Sequence, residues 1–100
     1  MPDEAGRDWL LLDYEEPVKL WVREYAPPLP VLLKVRDWLR ARETSPFEGV
    51  RYVPGIPDYL FGVIPGTMGP DGRMVTCSFW VDQDNFFVRV DMLSTASWPV

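Results

Sequence analysis

One hundred residues with 47% hydrophobic and 25% charged side chains fit one globular domain and exclude a disordered or collagen-like chain. No apolar run approaches the roughly 18 residues of a membrane-crossing helix. One Cys excludes an internal disulfide framework and, with no His, a four-ligand Cys/His zinc site; the lack of His also removes the commonest metal ligand and general base.

The domain is expected to fill residues 1–100, with 1–7 as an acidic tail. Trp9–Tyr14 is a short apolar run, and its length favours a strand. Glu15 and Glu16 precede Pro17, so a helix is expected from Pro17 to Tyr25, with Leu20, Trp21 and Tyr25 on its apolar side. Pro27-Pro28-Leu29-Pro30 then breaks the chain. It fits the P-x-x-P pattern of groove-binding peptides, but a turn whose last Pro starts the next helix explains it more simply. In that second helix Val31, Leu32, Val35, Trp38 and Leu39 recur at three- and four-residue spacing and form one stripe. Lys34, Arg36, Arg40 and Arg42 lie outside the stripe and make a basic face.

Residues 43–58 read as a loop interrupted by a short strand at Val50–Val53. Tyr59–Ile64 is β-branched and aromatic. Gly66 to Gly72 is turn chemistry. In Arg73–Asp82, the residues Val75, Cys77, Phe79 and Val81 point one way, and Thr76, Ser78 and Trp80 the other. After a turn at Gln83-Asp84-Asn85, Phe86, Val88, Val90 and Met92 alternate with Phe87, Arg89 and Asp91. Period-two alternation in both arms gives one buried and one wet face. The fold expected is α+β, in the order β-α-α-β-β-β, with two helices on one face of a small, mostly antiparallel sheet. Cys77, Phe79, Val88 and Val90 should lie together beneath the second helix.

Few residues offer chemistry. Cys77 is mid-strand on the apolar parity with no His partner, which suits packing. Gly66, Gly69 and Gly72 open a strand rather than a helix and lack a phosphate-binding Lys, so they read as a turn. Asp82 and Asp84 flank the hairpin tip without calcium-loop spacing, and no metal site or cofactor is expected. Glu15 and Glu16 point in different directions on a helix and make no acid/base pair. The remaining candidates are arginines. Arg51, Arg73 and Arg89 are carried by the meander, and an arginine cluster on a sheet face can hold phosphate and stabilise a phosphorane-like transition state. Salt bridges to Asp91 and its neighbours are the simpler account.

The strand at Trp9–Tyr14 running through Glu16-Pro17-Val18-Lys19-Leu20-Trp21 into a helix, the basic second helix Val31–Ala41 and the meander Tyr59–Met92 together resemble the RelE/ParE superfamily of small bacterial toxins. The likeness is topological and spans residues 8–93. It implies a toxin-antitoxin module protein, either a ribosome-dependent mRNA endonuclease or a degenerate relative of one. It further implies Arg73 and Arg89 as catalytic residues, an antitoxin as protein partner, and contact with RNA and the ribosome.

A second reading comes from charge. Fifteen acids against ten bases give a net charge of -5, and six of those acids lie in residues 1–16. A small acidic interaction protein, of the phage-inhibitor or immunity type, binds a basic partner without catalysis. Trp80 and Phe87 are then the aromatic anchors, and Arg36, Arg40 and Arg51 further binding residues. A homodimer through an unpaired sheet edge is a third arrangement. The acidic start Met1-Pro2-Asp3-Glu4 has no apolar signal segment, so a cytoplasmic location is the default expectation. Arg outnumbers Lys eight to two, which is compatible with a GC-rich bacterial or phage genome.

Overall fold

Tyr14 precedes a helix that opens on two acids and a proline. The helix α1 spans Glu15–Tyr25, two residues earlier than the proline suggests. Pro17 sits in the first turn, where a missing N–H breaks no helical hydrogen bond. Ala26 ends the helix in the left-handed region (φ 44°), and its N–H donates to the Val22 carbonyl at 2.8 Å. Pro27 and Pro28 follow, and α2 runs Leu29–Ala41 with Pro30 in its first turn. The computed structural model describes residues 8–97. The acidic tail expected over 1–7 lies outside the described residues.

Five strands complete the chain: β1 (Leu10–Leu12), β2 (Val50–Tyr52), β3 (Tyr59–Val63), β4 (Arg73–Asp82) and β5 (Phe87–Ser97). The fold is α+β, with two helices against a mixed, mostly antiparallel sheet of order β1-β5-β4-β3-β2. The first strand is shorter than its apolar run because Asp13 takes a left-handed φ of 58° and turns the backbone away. It pairs parallel with β5, Leu11 opposite Val88, while the other pairs are antiparallel.

The alternating residues of β4 define the core. Val75, Cys77, Phe79 and Val81 are buried, together with Val88 and Val90 of β5 and Leu60 of β3. The helices cover them with Trp21 from α1 and Val35 and Leu39 from α2. Trp38 meets Phe79 edge-on, with ring centroids 6.1 Å apart. Gly62 makes room for this contact. A Cβ there would stand 2.7 Å from Val50 Cγ1 and 2.8 Å from Trp38 Cζ2. Trp21 is anchored as well as buried, its indole N–H donating to Thr95 Oγ1 at 2.9 Å.

Four expectations are corrected. Thr76 and Ser78, expected on the wet face of β4, are each only 7% exposed, so of the three residues expected there Trp80 alone is exposed. Met92 was expected on the buried parity with Val88 and Val90, yet it is 56% exposed and Leu93 is 5% exposed. The cause is a register shift: Phe79 pairs with Val90 and Ser78 with Met92, so Asp91 is an extra residue, a β-bulge. Beyond the bulge the parity of β5 is reversed. Leu20, expected on the apolar side of α1, is exposed, and Trp21 alone of that helix is fully buried.

Arg42, expected on the basic outer face of α2, is instead 3% exposed. It stacks 4.1 Å from the Trp38 ring and donates to the Glu48 carbonyl at 2.8 Å and the Trp38 carbonyl at 3.2 Å. Burial lowers its pKa from the ordinary arginine value, with the Glu48 charge acting in the opposite direction. The guanidinium thus closes the end of α2 onto the following loop, a structural role.

Candidate functional site

Both helices lie on one side of the sheet, so its other face has no layer over it. Strand register decides which side chains share that face, because directly paired residues project to the same side. One row across the sheet is Arg51, Phe61, Ser78 and Met92. The next is Tyr59, Trp80, Arg89 and Leu12, and the last is Asp82, Phe87 and Leu10. The face is therefore aromatic through the middle and charged at its margins.

Trp80 is 39% exposed and leans on Tyr59, with centroids 4.4 Å apart and planes at 40°. The Tyr59 hydroxyl donates to Asp91 Oδ2 at 2.6 Å, and the Ser78 hydroxyl donates to the same oxygen at 3.4 Å. Burial raises the Tyr59 pKa, and its bond to the Asp91 carboxylate raises it further. The bulge is what brings Asp91 into this position. Tyr59 and Asp91 thereby fix the ring that supports Trp80.

A concavity of about 660 Å³ opens beside Trp80 at the β4–β5 hairpin. Its walls include Asp58, Asp82 and Asp84 as well as Phe87 and Arg89. Asp82 holds the hairpin tip, accepting from the backbone N–H of Asp84 and Asn85 and from the Asn85 side chain at 2.9–3.2 Å. The Asn85 side-chain bond leads the lowering of its carboxyl pKa, so it is an anion at neutral pH. Arg89 is occupied: its Nε lies 3.0 Å from Asp13 Oδ2. Three carboxylates and two aromatic rings remain around an arginine already neutralised by a fourth acid.

The structure unites Trp80, Phe87 and Arg89, and sets Arg51 on the same face two strands away, 5.9 Å above the Phe61 ring. It does not unite Arg73 with Arg89. Arg73 pairs with Ser97 at the far end of β4, seven residues from Trp80, which is roughly 23 Å along a strand. It has the core-side parity and reaches toward α1, 5.5 Å over the Tyr25 ring, while donating to the Thr95 carbonyl at 3.1 Å. Asp71 lies 3.6 Å from it. Arg36 and Arg40 are on α2, in the opposite layer.

Sequence reading missed Tyr59, Asp58 and Asp13. Each depends on which strand or loop faces which, and no local pattern carries that information. The two aspartates share one signal, the left-handed φ that Asp tolerates better than most residues. Among the described residues no three carboxylates or thiols converge as a metal site, and no helix is long and apolar enough to cross a membrane. Comparison of the chain with protein-family models, curated proteins and solved structures finds no match.

Proposed function

We propose that this chain is a small non-enzymatic interaction protein that receives a basic partner on the open face of its sheet. The observation that carries the reading is the wall of Asp58, Asp82 and Asp84 around Trp80 and Phe87, with Arg89 cancelled by Asp13. A cationic side chain entering that concavity meets carboxylates at its rim and an aromatic face for cation–π contact. The chain's net charge of -5 adds long-range attraction, which raises association rates for a basic partner and weakens with salt. Trp80 is the anchor, since large aromatics in partly enclosed settings dominate binding energy.

The test is an NMR titration of the full chain with an arginine-rich nonapeptide carrying one Leu, against its glutamate-substituted counterpart. Shifts at Trp80, Phe87 and Asp82 that appear only with the basic peptide are expected. Trp80→Ala should weaken binding roughly thirtyfold, the loss of one hot-spot residue. Equal shifts from the acidic peptide, or shifts confined to the helices, would overturn the reading.

A second reading, a RelE/ParE-like toxin, is favoured by the co-location of Arg89, Arg51 and Tyr59 on an uncovered sheet face in a β-α-α-β-β-β chain. Induced expression separates the two. The toxin reading requires growth arrest with mRNA cut on translating ribosomes, relieved by Arg89→Ala. The binder reading requires harmless expression with intact mRNA.

A further inference from the structure

The outer edge of β5 is paired over only part of its length. β1 meets it at Phe87, Val88 and Arg89, and then Asp13 turns the chain away. From Val90 to Ser97 no described strand lies beside β5 on that side. A groove of about 510 Å³ follows this bare stretch, between Asp91–Ser94 and α1. No β4 residue lines it, whereas Met92 from the open face and Leu93 from the core face both do. The groove therefore runs around the strand edge itself.

We propose that this groove takes an extended basic segment of a partner protein, laid beside β5 where β1 stops. Three observations carry it. First, the space has the position of a missing strand, and a bare sheet edge is where an extended peptide joins a fold. Second, the α1 wall has a spacing that an extended chain can match. Glu16, Leu20 and Glu24 form one ridge at four-residue intervals, its two acids roughly 12 Å apart along the axis. In an extended chain, residues i and i+4 point the same way roughly 13 Å apart, with i+2 between them. Lysines at i and i+4 then reach both carboxylates, while an apolar side chain at i+2 lies on the exposed Leu20. The intervening residues project toward Met92, which the bulge turns outward.

Third, the charge is of one sign. The charged residues of the lining are Glu16, Glu24 and Asp91. Asp91 accepts from two hydroxyls, and none of the three has an ion pair among the described residues. Lys19 and Arg23 are on α1 outside the lining, and Arg73 stands over the Tyr25 ring with Asp71 3.6 Å from it. The same charge selects between occupants. A second copy paired edge to edge about a two-fold axis would bring these carboxylates against their own images. The concavity at Trp80 shares no lining residue with this groove, so the two surfaces can be tested separately.

The experiment uses the full chain and three labelled nonapeptides, followed by fluorescence anisotropy. The first carries Lys at i and i+4, Leu at i+2 and Val at i+1 and i+3, between serines. The second has Glu for Lys, and the third has the same composition as the first with its two lysines adjacent. The first should bind at least roughly tenfold more tightly than the second, with a difference that shrinks as salt rises. It should also bind more tightly than the third, and NMR of the bound peptide should show extended-chain contacts. The double variant Glu16→Gln, Glu24→Gln changes two exposed side chains and should cut the first peptide's affinity at least roughly fivefold. Met92→Ser should weaken it too, and Trp80→Ala should leave it unchanged. Equal affinity for the three peptides, binding of none, helical contacts in the bound peptide, or full affinity in the double variant would overturn the proposal. Loss of binding in Trp80→Ala alone would overturn it while leaving the open-face reading in place. A concentration-dependent dimer abolished by Met92→Ser would overturn it in favour of a second copy.

Discussion

The Tyr59 hydroxyl donates a 2.6 Å hydrogen bond to Asp91 and so joins β3 to β5 across the intervening strand. The bond passes over the open face, where no helix could supply the same restraint. It sets the orientation of the ring that Trp80 rests on and holds the bulged residue in place. Tyr59→Phe should lower stability by about 1 kcal/mol in urea unfolding, the typical worth of one such bond. It should also broaden the Trp80 indole resonance.

The bulge predicts an asymmetry between adjacent residues. Met92→Ser should change stability by no more than about 0.5 kcal/mol, whereas Leu93→Ala should cost about 2–4 kcal/mol. An uninterrupted alternation gives the opposite ranking. Chemical denaturation of the two variants is sufficient to decide.

Phe79 has 0% exposure and touches the Trp38 ring. Its truncation to Ala should cost ~3–5 kcal/mol. Gly62→Ala tests the same contact from below. The new methyl would stand within 2.8 Å of both Val50 and Trp38, and a loss of about 1–3 kcal/mol is expected.

Cys77 gives the chain an alkaline limit. Burial pushes its thiol pKa up from 9.0 to about 12, against the pull of the nearby Arg42 charge. The folded form therefore holds the proton more tightly than the unfolded chain. This contribution is complete below pH 9 and is lost as pH rises from 9 toward 12. Between pH 9 and 10.5 the loss should be about 2 kcal/mol. Cys77→Ala should show a shallower decline of stability over that range. Tyr59, also raised, adds to the wild-type decline above its ordinary value of 10.0.

Arg42→Lys should destabilise the chain by about 1–3 kcal/mol although the charge is conserved, because an ammonium cannot serve both carbonyls while stacking on Trp38. Arg89→Ala, by contrast, removes an exposed pair with Asp13 and should cost less than about 1 kcal/mol. Thermal melts of the two variants should differ accordingly.

What could be read from the sequence follows the range of the forces involved. The helices announce themselves through Glu-Glu-Pro and the 31–39 stripe, and β4 through strict alternation, because these patterns are local. The bounds Arg73–Asp82 follow directly from the glycine turn before and the Asp82 turn after. The parity of β5 beyond Val90 was not legible, since a bulge is set by what the neighbouring strand requires. Arg42 reads as one more surface cation until the loop carbonyl of Glu48 is in position to receive it. The separation of Arg73 from Arg89 had the same origin: each is a strand arginine, and only the register places them at opposite ends and on opposite faces.

The parallel pairing of β1 with β5 has a temporal consequence. Leu10 meets Phe87 and Leu12 meets Arg89, contacts between residues 77 positions apart. Loop closure on that scale is slow compared with forming the β4–β5 hairpin. The first strand can pair only once β5 is in place to receive leucines 10–12. The edge strand is thus the last seam to close, and the Asp13–Arg89 pair beside it forms only then. Until that pair forms, the concavity beside Trp80 carries an Arg89 without its Asp13 partner.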